Sequence, residues 1–490
     1  MADHNAPVSF DSAALRTSRK LATENAAFDL GPFILEWFAG NRPSSQLPIS
    51  AVCNCHCLFC SNHLNPFPVV GGVFRDLEDI KLQLCAMAGN DDPIRRSDSL
   101  PGRISEGEAL LHPRLFEILE LVRREFFSNT LCFTTNGSMV DEAFLKKLAA
   151  FRPVEINVSL HSTIPELWAR IFAKKEHDAR TAIAALPLLK RYGMELVGTI
   201  VPLPRICGWD GLERTYEYLV VNGAKRMILY WPGHTVRTPD ALVKELECSL
   251  EEFTAFAGRM KDRFNVPLHP FPDMAGSLKV AVETIVGKTL KGNPSTRGGA
   301  YRRVIWLSSR AAFSRLEKMV AEQTVAAPNR HQVVPADNFT YKGNIIAAGL
   351  LMAEDFIRAG QTAVEKWPDV DLFLVPSNPF DSLLRDLIGT PACRIAESLA
   401  RPVWLVQSDG AIDSLLSMRL LKRRKPLDTG LKQAMDRFNR GRADDEKIES
   451  GLDMTATYPV ASPRGPLNRD QLRDMIRDDR TRTLGSTLTS

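Results

Sequence analysis

The chain has 490 residues, which is enough for two to four domains and a sizeable buried core. Hydrophobic residues make up 44% and charged residues 24%, as in ordinary soluble globular proteins, and a net charge of +4 is too small to indicate a nucleic-acid or membrane partner. The longest apolar run, residues 345–353, is too short to span a bilayer, and the N-terminus lacks a signal-peptide pattern. The sequence therefore predicts a cytoplasmic protein without a membrane span.

Short apolar segments alternate with helical patterns through the first half of the chain. The clearest helix covers residues 113–127, where apolar residues recur every three or four positions. Six such repeats predict a parallel sheet, and six units do not complete an eightfold barrel. We therefore expect an α/β fold with a partial (βα)6 TIM-like barrel and its chemistry at the C-terminal ends of the strands. The predicted strands are residues 46–52, 102–106, 130–135, 154–160, 195–201 and 225–231.

The second half of the chain indicates a smaller unit of the same class. Two prolines make residues 269–276 a predicted linker. Further strand-like and helix-like segments follow at residues 302–309, 314–323, 344–360, 369–376 and 401–406. The predicted order is an N-terminal extension (1–44), the partial barrel (45–270), a C-terminal α/β domain (271–415), and a linker with a largely flexible charged tail (416–490).

Four of the nine cysteines lie within residues 53–60, in the stretch CNCHCLFC. Cytosolic thiols stay reduced, so such a group indicates metal binding or catalysis rather than disulfides. Structural zinc usually takes two ligand pairs from separate segments, and the chain has no second CxxC pair, although His56 and His63 could contribute. An iron–sulfur cluster, whose ligands are thiolates from one compact loop, is the alternative. A cysteine-rich loop without metal is the third possibility.

The motifs resemble those of the radical S-adenosylmethionine (radical SAM) superfamily over about residues 45–235. Cys53, Cys57 and Cys60 give the spacing CxxxCxxC, and the aromatic Phe59 precedes the last cysteine, as is common in that family. ISEGEALLHPRL (104–115) is similar to the family's Gly-Gly-Glu-Pro segment, and TTNG (134–137) to its Thr-Asn-Gly turn.

This resemblance implies two cofactors, a 4Fe–4S cluster and S-adenosyl-L-methionine (SAM). The unique iron of the cluster would chelate SAM, and reductive cleavage of SAM would yield a deoxyadenosyl radical that abstracts hydrogen from the substrate. The resemblance assigns Cys53, Cys57 and Cys60 to the cluster. It assigns to SAM the residues Phe59, Gly107, Glu108, Asn136 and Ser159.

Two departures from the family pattern affect these assignments. The glutamate segment reads Glu106-Gly107-Glu108-Ala109, so Glu106 could take the contact with the SAM amino group instead of Glu108. Cys55 is an additional cysteine. We expect it to be a bystander thiol, with an alternative ligand or a redox partner as the other readings.

Residues 334–360 resemble a domain of unknown function that is appended to some radical SAM proteins. The matching positions are Asn338, Phe339, Gly343, the Ala-Gly-Leu-Leu run at 348–351, and Asp355. Two interpretations stay open. Gly349 could serve close strand–helix packing. Alternatively, the domain could close over the barrel mouth and contribute substrate contacts through Asn338, Tyr341 and Asp355.

The sequence thus predicts a one-cluster radical SAM enzyme that acts on a small-molecule substrate and takes electrons from a flavodoxin or ferredoxin. The other five cysteines are scattered, which disfavours auxiliary clusters. The alternatives are transfer of a methyl or aminocarboxypropyl group from SAM on the same cluster, or a non-catalytic iron–sulfur or zinc protein.

Overall fold

The computed structural model describes residues 47–414 with gaps. The described residues are 47–50, 52–60, 64, 74–75, 77–78, 80–81, 84, 107–271, 278–291, 301–327, 330–380, 384–388, 390–407, 410 and 412–414. The predicted extension (1–44), the strand at 102–106, Glu106, His63 and the tail (416–490) lie outside them. No helix of the described part is long and apolar enough to cross a membrane.

The first half contains a five-stranded sheet in which all strands are parallel, in the order β1-β2-β3-β4-β5. Its strands are β1 (Leu131–Thr135), β2 (Val154–Ser159), β3 (Glu195–Ile200), β4 (Ala224–Tyr230) and β5 (Leu268–Phe271). The helices are α1 (Leu115–Glu125), α2 (Glu142–Leu148), α3 (Pro165–Phe172), α4 (Glu176–Arg191), α5 (Pro204–Val221), α6 (Asp240–Leu246) and α7 (Leu250–Arg263), with 3-10 turns at Ala109–Leu111 and Ala149–Phe151.

Alternation along β1 and β2 gives this part of the sheet one apolar and one polar face. In β2, Val154, Ile156 and Val158 are buried in the core, whereas Glu155, Asn157 and Ser159 are only half-buried. The apolar face packs on the helices, where each fully buried Leu or Ile side chain contributes about 1.5–3 kcal/mol. The other face carries polar side chains toward the open side of the sheet, as the interior of a partial barrel does.

The parallel α/β prediction is confirmed, and the predicted strands at 130–135, 154–160, 195–201 and 225–231 correspond to β1–β4. The described part of 46–52 forms no regular strand. It makes one antiparallel bridge, Ser50 with Phe74, and accepts backbone bonds from Arg75, Gly107 and Glu108. Pro48 lacks the amide hydrogen that a continuous ladder needs.

The linker predicted from residue 269 is wrong at its start, because Leu268–Phe271 pairs with β4 as β5. β5 is the last strand of the sheet, and an edge strand tolerates the missing amide hydrogen of Pro270. Residues 272–277 lie outside the described part.

The second half contains another five-stranded sheet, in the order β10-β9-β8-β6-β7, with only β10 antiparallel. Its strands are β6 (Val304–Ser309), β7 (His331–Ala336), β8 (Leu372–Pro376), β9 (Val403–Val406) and β10 (Ile412–Ser414). Its helices are α8 (Leu278–Lys291), α9 (Arg310–Gln323), α10 (Ala353–Lys366) and α11 (Cys393–Leu399), with a 3-10 turn at Ala348–Leu350. Neither sheet closes into a barrel within the described residues.

The close-packing role predicted for Gly349 is wrong. A Cβ placed on Gly349 would meet no described atom within 4 Å, so its surroundings leave room for a side chain. Gly360 on α10 does pack closely, because a Cβ there would lie 2.5 Å from the Leu399 side chain of α11.

Candidate functional site

The cysteine loop, residues 52–60, lies beside the C-terminal end of β2. The His56 amide donates to the Phe172 carbonyl at the end of α3, at 3.1 Å. The Phe59 ring packs edge-to-face on His161, which follows β2, with 4.7 Å between centroids. The loop therefore occupies the edge where ligands bind in parallel α/β sheets.

The four thiols of this loop differ in exposure. Cys53 is exposed, and Cys57 and Cys60 are half-buried. Cys55 is 4% exposed and belongs to the hydrophobic core, where its thiol donates to the Asn54 side-chain oxygen at 3.6 Å. The cysteine that the motif leaves over is thus the one that faces the core.

Contacts within the loop raise the pKa of Cys53 and of Cys55. A hydrogen bond with Cys55 raises the pKa of Cys53 well above its usual range. For Cys55, the hydrogen bond with Cys53 lowers the pKa, but the bond with Cys57 and burial raise it by more. The Glu108 carboxylate adds negative charge near both. A bound cationic centre would relieve this repulsion by stabilising the thiolates, so the donor set fits an iron–sulfur cluster.

Within the described residues, no group of three or more His, Cys, Asp or Glu side chains is arranged to hold a single metal ion.

Glu108 is held at the same edge by the cysteine-loop segment and by the turn after β1. Its amide donates to the Val52 carbonyl at 2.8 Å, and Gly107 donates to Ser50 at 3.2 Å. The carboxylate is only 2% exposed, and its Oε2 accepts the Asn136 amide at 2.8 Å. A buried carboxylate fixed in this way can accept hydrogen bonds from an ammonium group.

Asn54 joins the cysteine loop to the turn after β1. Its Oδ1 accepts from Asn136 Nδ2 at 2.9 Å, and its Nδ2 donates to Ser138 Oγ at 3.0 Å. Asn136 Oδ1 in turn accepts the Ser138 amide at 2.9 Å. Asn54 and Ser138 were not predicted from the sequence, where their only signal is adjacency to motif residues.

Ser159 ends β2 on the polar face of the sheet, two residues after Asn157. Thr199 on β3 donates to Asn157 Oδ1 at 2.6 Å, and Asn157 Nδ2 reaches Thr134 on β1 at 3.5 Å. Thr134, Asn157 and Thr199 form a polar row across three strands, and of these Asn157 and Thr199 were not predicted from the sequence. Period-two alternation within β2 was the available signal for Asn157.

His161 is a buried, uncharged histidine at this edge. Burial lowers its pKa to about 3, and its Nδ1 accepts the Val201 amide at 3.0 Å. The proton therefore resides on Nε2, which has no hydrogen-bond partner among the described residues. The ring stacks on Phe172 with 5.0 Å between centroids, and it also contacts the Phe59 ring.

Comparison with known proteins identifies the first sheet's family. The family model described as Radical SAM superfamily matches residues 47–219, which contain the cysteine loop, Glu108 and Asn136. No curated protein matches the chain.

Several solved structures resemble the chain. SuiB of Streptococcus suis, bound to its precursor peptide SuiA, is 12% identical over 55% of this chain and 56% of its own, with a TM-score of 0.37. A radical SAM methyltransferase from Sphaerobacter thermophilus is 17% identical over 46% of this chain and 64% of its own, with a TM-score of 0.33. anSMEcpe, with bound AdoMet and the peptide Kp18Cys, is 15% identical over 50% of this chain and 68% of its own, with a TM-score of 0.35.

At these scores the solved structures carry no argument about activity, and the chain spans little more than half the length of SuiB. The family model carries the assignment. Members of this superfamily are enzymes that use a 4Fe–4S cluster and SAM, in agreement with the sequence prediction. Residues 47–219 therefore form a domain of the Radical SAM superfamily.

Proposed function

We propose that the protein is a radical SAM enzyme with a single 4Fe–4S cluster, acting on a small-molecule substrate. One observation carries the proposal. Three exposed or half-buried thiols, the fixed Glu108 carboxylate and Asn136 all adjoin the C-terminal edge of a parallel sheet.

Cys53, Cys57 and Cys60 would hold the cluster in this proposal. Their exposure supports the choice, since Cys55 points to the core instead. When both cofactors are bound, the chemistry that they supply is reductive cleavage of SAM followed by hydrogen abstraction from the substrate.

The chain's own residues would bind and orient SAM. The Glu108 carboxylate would accept hydrogen bonds from the ammonium group of SAM, because the Asn136 amide holds the carboxylate in place. The backbone of Gly107 would contact the same group. Phe59 would offer its backbone to the adenine, held in place by the His161 contact. Asn136 and Ser159 would face the ribose or the carboxylate of SAM. Glu106 is the alternative partner for the ammonium group.

The polar face of the first sheet is the proposed substrate surface. Asn157, Thr199 and Ser159 provide donors and acceptors there, as a polar metabolite requires. We further propose a cytoplasmic location and a flavodoxin or ferredoxin as the electron donor.

Anaerobic reconstitution with iron and sulfide, followed by dithionite and SAM, tests the proposal. Formation of 5′-deoxyadenosine by the full chain is the expected result. Methylthioadenosine as the product would favour aminocarboxypropyl transfer. Absence of both products from cluster-loaded protein would contradict the proposal.

A further inference from the structure

The two halves of the chain are joined by a loop of the second unit. We call residues 337–352 the docking loop and residues 231–238, which follow β4, the β4 exit loop. Asn344 of the docking loop accepts the His234 amide on Oδ1 at 2.7 Å, and its Nδ2 donates to the Pro232 carbonyl at 2.9 Å. A single side chain thus binds the exit loop on both sides of Gly233.

Backbone contacts extend this connection. The Val236 amide donates to the Tyr341 carbonyl at 2.8 Å, and the Asn344 amide donates to the His234 carbonyl at 3.2 Å. Gly343 has φ +60°, and a Cβ there would lie 2.0 Å from the His234 carbonyl oxygen. Only glycine satisfies both the backbone conformation and this close approach.

The motif residues of the second unit shape the docking loop. Asn338 accepts the Tyr341 amide at 2.7 Å and donates to the Leu350 carbonyl at 2.8 Å. Asp355 is fully buried, and its two oxygens accept the amides of Phe339 and Met352 at 2.9 and 2.8 Å. Asn338 and Asp355 therefore stabilise the docking loop through bonds within the second unit. Gly343 and Asn344 contact the β4 exit loop.

The other side of the β4 exit loop contacts the chain that follows the cysteine loop. The Thr235 hydroxyl donates to the Leu64 carbonyl, four residues after Cys60. The exit loop leaves the sheet at the C-terminal end of β4, the edge that carries the candidate site. The β4 exit loop therefore lies between the docking loop and Leu64, and the docking loop holds it in place.

We propose that the second α/β unit is part of the radical SAM site rather than an independent module: through Gly343 and Asn344 it holds the β4 exit loop against Leu64, four residues after Cys60, and closes that side of the site to solvent. This inference rests on the proposed function. Asn344 is a positioning residue, since it acts through the exit loop.

The test compares the full-length wild type with Asn344→Ala after anaerobic reconstitution. Loss of both side-chain bonds releases the exit loop, so hydrogen exchange at residues 231–238 becomes at least about tenfold faster. SAM, measured by equilibrium binding, binds about tenfold more weakly, and the cluster absorbance bleaches several times faster in air. The initial iron content is unchanged.

A matched control is Asn222→Ala. Asn222 makes a bond of the same kind, from Nδ2 to the Tyr218 carbonyl at 2.8 Å, but precedes β4 at the opposite edge of the sheet. This variant keeps wild-type SAM affinity and bleaching rate. Gly343→Val supplies a second disruption that removes no hydrogen-bonding side chain, and it reproduces the Asn344→Ala behaviour.

The outcomes separate the two proposals. A wild type that forms deoxyadenosine, together with Asn344→Ala and Gly343→Val variants that keep wild-type SAM affinity and bleaching, overturns this inference alone. Unchanged hydrogen exchange in both variants also overturns it, because the docking contact then does not hold the loop. A wild type that neither binds SAM nor forms deoxyadenosine overturns the proposed function, and this inference with it.

Discussion

At the residue scale, the four thiols of the cysteine loop differ in how deeply their side chains are buried. The sequence supplies four candidates and the motif selects three, but only the fold shows that Cys55 joins the hydrophobic core. That burial depends on residues far away in the sequence, which local spacing does not reveal.

We predict that Cys57→Ala abolishes the cluster absorbance, whereas Cys55→Ala retains most of it. Losing one of three thiolate ligands removes a bond to iron, while Cys55→Ala only leaves a small cavity. Anaerobic reconstitution and absorbance spectra of both variants provide the measurement. The opposite pattern would refute the assignment of ligands.

His331 in the second sheet is a second residue whose chemistry follows from burial. Its Nδ1 accepts from Trp306 Nε1 at 3.0 Å, and its Nε2 lies 3.1 Å from Thr289 Oγ1. Burial, and then the nearby Arg330, lower its pKa to about 4. Protonation would place a new N–H against the indole N–H, so the folded state requires the neutral ring.

We therefore predict a pH-dependent contribution from His331 to the free energy of unfolding. Below the unfolded pKa of about 6.5 the unfolded chain takes up a proton and the folded chain does not, so stability is lost as the pH falls. Between pH 7 and pH 5 the loss is about 2 kcal/mol for this residue. Urea denaturation at the two pH values should show that difference between the wild type and His331→Gln. If the free energy of unfolding fell equally between pH 7 and pH 5 in the wild type and in His331→Gln, the contribution of His331 would be ruled out.

At the element scale, hydrophobic periodicity located β1–β4 because their alternation and apolar content arise within each segment. It failed at β5, where the pairing partner β4 determines the strand and the two prolines within 269–276 suggested a linker. The pairing of the 47–52 segment likewise depends on Gly107 and Glu108, which are distant in the sequence.

The turn between β1 and α2 gives an element-scale prediction. Gly137 has φ +80°, and an added Cβ would lie 3.0 Å from Ala182 Cβ on α4. We predict that Gly137→Ala destabilises the protein by about 1–3 kcal/mol through backbone strain and overpacking. Gly349→Ala is the matched control and should change stability by less than about 0.5 kcal/mol, because nothing described lies near its added Cβ. Chemical denaturation of both variants compares them, and equal losses would contradict the steric argument.

At the scale of the whole molecule, the chain has one concentrated group of cysteines. Among the described residues, Cys132, Cys207, Cys248 and Cys393 lie singly in the fold, and burial is the main cause that raises the pKa of Cys207 to about 11 and of Cys248 to about 12. Isolated thiols lack the neighbouring thiolates that a second cluster needs.

We predict about four iron atoms per chain after full reconstitution, as one 4Fe–4S cluster requires. Iron and sulfide analysis of the anaerobic protein measures this number. A content near eight would indicate an auxiliary cluster and would contradict the one-cluster proposal.

The arrangement of the two units was beyond sequence reasoning. The motif around Asn338 and Asp355 marked the second unit, but its contact with the β4 exit loop joins residues about 110 positions apart, as in the bond from His234 to Asn344. Such pairing depends on complementary shapes in the folded chain rather than on any local pattern.

The docking contact also determines which positions of the β4 exit loop can change their side chains. Four of its bonds reach the β4 exit loop through main-chain groups of Pro232, His234 and Val236. Because side chains at positions 234, 236 and 237 contribute none of these bonds, they can vary while the joint persists. A library randomised at those three positions is therefore expected to keep the docking contact.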